Sequence, residues 1–144
     1  MDNKVFMQKA IELSIDNVKS GKGGPFGAIV VKDGKIIAQG ANSVTTNNDP
    51  TAHAEVMAIR EACKVLGTFQ LDDCDIYTSC DPCPMCLGAI YWARPNKVYY
   101  ANTKKDAADI NFGVNKIIIK IYISGIFFSI GVIHFIWSGP INSA

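Results

Sequence analysis

Apolar positions in the first twenty residues recur at helical spacing. Val5, Phe6, Met7, Ala10, Ile11, Leu13 and Val18 mark the apolar side of an amphipathic helix, which the glycine-rich residues 21–24 stop. The period then shortens. Gly27-Ala28-Ile29-Val30-Val31 is a compact apolar run, Asp33-Gly34 is a turn signal, and Lys35-Ile36-Ile37-Ala38 returns, which predicts a β-hairpin. Residues 42–50 are polar, rich in Asn and Thr, and read as loop. Helical spacing resumes through Val56, Ile59, Ala62, Cys63 and Leu66 and stops at Gly67. Asp49 or Thr51 is the expected cap, with Pro50 near the first turn. A strand over residues 75–79 follows. Pro82 or Pro84 then opens a helix that Arg94-Pro95 closes, and residues 97–101 form a further strand. This order predicts an α/β domain with helices packed on a mixed sheet.

From Gly113 the pattern changes. Residues 117–137 are dominated by Ile and Phe, interrupted by Ser124, Gly125, Ser129 and Gly131, and fit neither a surface helix nor a clean strand. A membrane span needs roughly 20 predominantly apolar residues. This stretch reaches that length only by including Lys120 and His134, so membrane association is not the expectation. His134 is read as incidental.

At 144 residues the chain has enough material for one domain with a substantial core. Residues 1–112 hold 12 Lys or Arg and 13 Asp or Glu, a balance of −1, whereas residues 113–144 add only Lys116 and Lys120. The first part therefore lacks the basic surplus that announces a nucleic-acid partner, and none is expected. Five cysteines, an odd number that includes a CxxC pair, follow an N-terminus without an apolar signal segment. That usage points to metal chemistry in the cytoplasm rather than a disulfide framework.

The candidate chemistry lies in His53-Ala54-Glu55 and Pro82-Cys83-Pro84-Met85-Cys86. His53, Cys83 and Cys86 supply one imidazole and two thiolates, and three such ligands leave a tetrahedral Zn2+ one open position. Cys83 and Cys86 are three apart at a helix start, where exposed amides and the positive helix end favour thiolates. Glu55 is turned to another side of its helix from His53, which suits a proton-transfer group better than a fourth ligand. H-x-E…P-C-x-x-C is the pattern of zinc nucleobase deaminases. Cys80 and Cys63 are expected as packed thiols.

These residues resemble the cytidine-deaminase-like zinc superfamily. Residues 23–31, 45–58 and 77–94, including Gly-Gly-Pro-Phe-Gly and Leu-Gly-Ala-Ile-Tyr-Trp-Ala-Arg, are similar to the bacterial guanine deaminases within it. The resemblance implies a three-layer α/β/α fold, one Zn2+ per chain, and hydrolytic deamination of guanine to xanthine and ammonia. Glu55 becomes the proton shuttle. Asn42 becomes a contact for the purine's polar edge, Phe26 and Trp92 become apolar walls, and Ala54 becomes a further substrate contact. A homodimer is expected, as in the family, where the C-terminal segment can be exchanged between subunits. The same zinc motif also serves deaminases of tRNA adenosine or of pyrimidine bases, an inactive remnant, or a zinc-stabilised interaction module.

The resemblance runs to Phe112 and stops. Family members place a purine-recognising acid just beyond this phenylalanine and then a charged closing segment, where this chain has Gly113-Val114 and no later acid. We therefore divide the chain into a deaminase domain, residues 1–112, and a divergent apolar tail, residues 113–144. A change of reading frame accounts for such a tail, ahead of a divergent strand-plus-helix. On this reading guanine is handled poorly.

Overall fold

The computed structural model describes residues 3–102 and 120–123. Its elements are α1 (Asn3–Lys19), β1 (Gly27–Lys32), β2 (Lys35–Ala41), α2 (Val44–Asn47), α3 (Ala54–Leu66), β3 (Cys74–Cys80), α4 (Pro84–Ala93), β4 (Lys97–Asn102) and β5 (Lys120–Ile123). The strands form one mixed sheet in the order β2-β1-β3-β4-β5. β1 is antiparallel to β2 and β3, β3 is parallel to β4, and β4 is antiparallel to β5. A parallel pair needs a crossover, and α4 supplies it between β3 and β4. The expected mixed-sheet α/β fold is the one observed.

Alternation along the strands sorts the core into two halves. Ala28, Val30, Ile76 and Val98 face one side with residues of α3 and α4. Ile29, Val31, Tyr77 and Tyr99 face the other, beneath Phe6, Met7 and Ala10 of α1. The layers are therefore α1, the sheet, and α3 with α4. Because both faces of β1 are covered, it reads as a continuous apolar run. Under α1, Tyr77 and Tyr99 stack with ring centroids 4.5 Å apart, and Phe6 tilts onto Tyr77 at 5.3 Å.

The hairpin turns on Asp33 and Gly34, both at positive φ, with Lys32 paired to Lys35. At Gly40 of β2 a Cβ would lie 2.5 Å from both Ala54 O and Ala58 N, so α3 rests directly on the strand's backbone. That close approach brings the start of α3 onto the sheet.

Four details differ from the expectations. Val5 and Val18 are exposed, while Ser14 and Asn17 are buried on the sheet-facing side of α1. At about 100° per residue Val5 falls away from the buried face. The polar stretch of residues 42–50 contains the short helix α2, ended by Asn48 in a left-handed conformation. α3 starts at Ala54 rather than Thr51, because Asp49 Oδ1 accepts from Thr51 N–H (2.9 Å) and Thr51 Oγ1 (2.7 Å), making a turn instead of a cap. Within the apolar tail Lys120–Ile123 is strand, while Gly113, Val114, His134 and the rest of that segment lie outside the described residues. No described helix is long and apolar enough to cross a membrane.

Candidate active site and metal centre

Two helix N-termini meet beside the carboxyl end of β3. His53 is the N-cap residue of α3 and Cys83 that of α4. The His53 ring makes no capping hydrogen bond, so it is available to a ligand. At α4, Pro84 starts the helix with its fixed φ, and Cys83 Sγ accepts the Cys86 N–H at 3.5 Å. The Cys83 carbonyl also takes the Leu87 amide at 2.8 Å, which winds Cys86 to the same side as Cys83.

The three expected metal donors converge. His53 Nδ1 lies 3.5 Å from Cys83 Sγ and 3.4 Å from Cys86 Sγ. All three ligand atoms fall within 4.8 Å of one another, the one such group of three among the described residues. With zinc–sulfur bonds of about 2.3 Å and zinc–nitrogen bonds of about 2.0–2.1 Å, tetrahedral angles separate nitrogen from sulfur by about 3.6 Å. The observed spacing fits that geometry, and the soft donor set selects zinc over magnesium or calcium. Burial above all, and then the Glu55 carboxylate, push the Cys86 thiol well above its ordinary range. A dication among these donors opposes that shift, so loading the site releases protons.

Glu55, in the first turn of α3, is only 6% exposed. Its Oε2 accepts from Cys86 Sγ at 3.4 Å and its Oε1 from Thr78 Oγ1 at 3.2 Å. Desolvation raises its pKa above the usual carboxylate value, opposed by its own backbone amide and by the bonds from Cys86 and Thr78. The result is a carboxylate beside the metal donors that is held ready to accept a proton. Thr78 Oγ1 also lies 3.2 Å from the Cys80 carbonyl, and its single hydroxyl proton serves one of these acceptors at a time.

A cavity of about 210 Å³ opens over this centre, lined by Phe26, Asn42, His53, Glu55, Cys80, Asp81 and Cys83. Phe26 and Asn42 are thus both on the cavity wall. Trp92 does not line this cavity: it is 71% exposed on α4, with its ring edge-on to Tyr91. α4 is apolar on all sides, but its buried stripe runs through Cys86, Ile90 and Ala93 and leaves Trp92 out. Ala54 is fully buried in the core under α3. Its first-turn N–H, which no intrahelical carbonyl can reach, is the group it has to offer a ligand.

Sequence reasoning passed over Thr78 and Asp81, and it treated Cys80 only as a packed thiol. Cys80 is buried outside the three-donor group but lines the cavity, and its Sγ donates to Asp81 Oδ1 at 3.5 Å. Burial, followed by Asp81, raises its pKa strongly. Period-two alternation from Ile76 carries Thr78 and Cys80 to the α3 side of β3, a signal that marks Thr78 as a polar group among core positions.

Comparison with known proteins agrees with this geometry. The family described as the cytidine and deoxycytidylate deaminase zinc-binding region matches residues 1–102. The chain belongs to this zinc-dependent deaminase family. Among its relatives, guanine deaminase from Bacillus subtilis (strain 168) is 64% identical over 112 residues, 78% of this chain and 72% of that protein. The X-ray structure of guanine deaminase from Bacillus subtilis superposes with a TM-score of 0.75, covering 78% of this chain and 71% of that one at 64% identity. The tRNA-specific adenosine deaminase of Aquifex aeolicus is 47% identical over 81 residues, 56% of this chain and 54% of that protein. The family binds zinc, and His53, Cys83 and Cys86 form a group that could hold the ion.

Proposed function

We propose that this chain hydrolyses guanine to xanthine and ammonia, with Glu55 as the catalytic proton carrier. The observation that carries the proposal is the buried Glu55 carboxylate, 3.4 Å from Cys86 Sγ and on the wall of a cavity shared with Asn42 and Phe26. Similarity to a guanine deaminase at 64% identity selects the substrate within the family.

Bound zinc supplies Lewis-acid activation of the attacking water. Glu55 accepts a proton from that water and delivers it to a ring nitrogen, which makes C2 electrophilic. The water's oxygen then bonds to C2. Glu55 carries the second proton to the departing amino group, so guanine and water leave as xanthine and ammonia. Thr78 orients the carboxylate through Oε1. The Asn42 amide, able both to donate and to accept, binds the purine's polar edge, and Phe26 covers an apolar face of the flat ring. The Ala54 N–H adds a donor at the start of α3.

Two broader assignments belong to the same proposal. None of the five cysteines is paired in a disulfide, which fits a reducing cytoplasm. Met85 and Trp92 expose apolar surface on α4, which a homodimer would cover.

The substrate is tested by assaying ammonia release from guanine, adenine, cytosine and a tRNA with the zinc-loaded chain. Release from guanine alone supports the proposal, and turnover of tRNA adenosine alone replaces it.

A further inference from the structure

The last turns of α1 bury a polar side chain where an apolar one would be expected. Asn17 is 6% exposed, and its Nδ2 donates to Gly24 O at 2.8 Å and to Asn42 O at 2.9 Å. Both partners are carbonyl oxygens, so only the NH2 side of the amide can serve them. These carbonyls belong to the two segments that carry the cavity's Phe26 and Asn42. Phe26 N–H donates back to Gly24 O at 2.8 Å, and Asn42 N–H donates to Phe26 O at 3.2 Å. The Asn17 amide thus closes a hydrogen-bonded ring through Gly24, Phe26 and Asn42.

Space as well as polarity ties this ring together. A Cβ at Gly23 would stand 2.2 Å from Asn42 O and 3.0 Å from Asn17 Nδ2, so the chain passes in direct contact with both bonded groups. Asn42 Oδ1 in turn accepts the Val44 N–H at 3.2 Å, which fixes the rotation of its amide. Gly27 N–H donates to Ser79 Oγ at 3.1 Å and anchors the far side of Phe26 to β3. Three of these contacts join distant parts of the chain, those of Asn17, of Ser79 and from Asn42 N–H to Phe26 O, and among the described residues only Asn17 bonds α1 to the backbone of Asn42.

We propose that Asn17 is a positioning residue for purine binding, setting the separation of Phe26 and Asn42 without touching the ligand. The inference rests on reading the cavity as the purine site. A role in stability alone predicts a lower melting temperature with purine affinity intact. A positioning role that acts through Asn42 predicts lost affinity, and predicts that the loss disappears once the Asn42 side chain is gone.

The test is equilibrium dialysis of tritiated guanine against the zinc-loaded Glu55→Gln protein, which binds without turnover, in a cycle of Asn17→Ala and Asn42→Ala. Asn17→Ala is expected to weaken guanine binding about tenfold, the size of one ordinary hydrogen bond's worth of misplacement. In the Asn42→Ala background the same substitution is expected to change affinity less than twofold. Zinc content should be unchanged throughout. Asn17→Asp keeps the side chain's shape while replacing both donated protons, and it should show the same loss if Asn17→Ala does not fold. Native affinity in either folded Asn17 variant overturns the inference, as do losses at Asn17 and Asn42 that multiply. A Glu55→Gln protein that binds no guanine overturns the purine reading, and this inference with it.

Discussion

Thr78 on β3 donates its hydroxyl to Glu55 Oε1 on α3 across 3.2 Å, with both residues buried. The bond fixes one carboxylate oxygen, while the other lies against Cys86 Sγ. Removing one partner of such a buried bond costs about 1–3 kcal/mol. Thr78→Val should therefore lower kcat roughly 5- to 150-fold with KM nearly unchanged, while Thr78→Ser should retain most activity. Steady-state kinetics on guanine check this, and a Thr78→Val protein with native kcat would remove the orienting role.

Zinc content checks the metal centre without reference to turnover. Cys86→Ala removes one of the two thiols that lie 3.4–3.5 Å from His53 Nδ1. Metal analysis should find about one zinc per intact chain and a large deficit in Cys86→Ala. Chelation of the intact protein should lower its melting temperature, because zinc that binds only the folded state stabilises it. Full zinc occupancy in Cys86→Ala would mean that the ligands lie elsewhere.

Gly40 and Gly88 make a matched pair for the packing argument. A Cβ at Gly40 would strike the backbone of α3 at 2.5 Å, whereas at Gly88 it would meet nothing within 4 Å. Gly40→Ala should destabilise by about 1–3 kcal/mol or more and weaken zinc retention, since it displaces the helix that begins beside His53. Gly88→Ala, in the middle of α4, should be neutral or stabilising by up to about 1 kcal/mol. Thermal melts with zinc analysis decide the point. A neutral Gly40→Ala would contradict the direct seating of α3 on β2.

The division of the chain at Phe112 is tested in the gene. We expect one of the other two frames of its last part to encode an acid-containing, charged segment in place of residues 113–144. Joining that segment to residues 1–112 should raise guanine turnover over the chain as it stands. Absence of such a frame, together with unchanged turnover, would count against the division.

How far the sequence was legible follows from what each residue has to do. His53, Cys83, Cys86 and Glu55 stood out as candidates, because a metal site constrains residue type and spacing together, and the structure brings them side by side. The elements could be read as well: the apolar run of β1 with its Asp33-Gly34 turn and the helical spacing in α3 leave few alternatives. Asn17 escaped notice because apolar periodicity passes over a polar group, yet its amide is buried by pairing with two carbonyls. Trp92 was misplaced for the opposite reason. In a helix that is apolar all round, residue type does not say which face is covered, and only the Cys86–Ile90–Ala93 stripe is. The start of α3 moved because Asp49 could cap a helix or close a turn, and its bonds to Thr51 chose the turn.

Guanine deamination by Glu55 and zinc is decided by following xanthine and ammonia from guanine with the zinc-loaded chain beside its Glu55→Gln variant. The intact chain should yield one xanthine and one ammonia for each guanine consumed. Glu55→Gln should lose about 10²–10⁴-fold in turnover with zinc retained. Absence of product from the intact, zinc-loaded chain would contradict guanine deamination, and undiminished turnover in Glu55→Gln would contradict the role of Glu55.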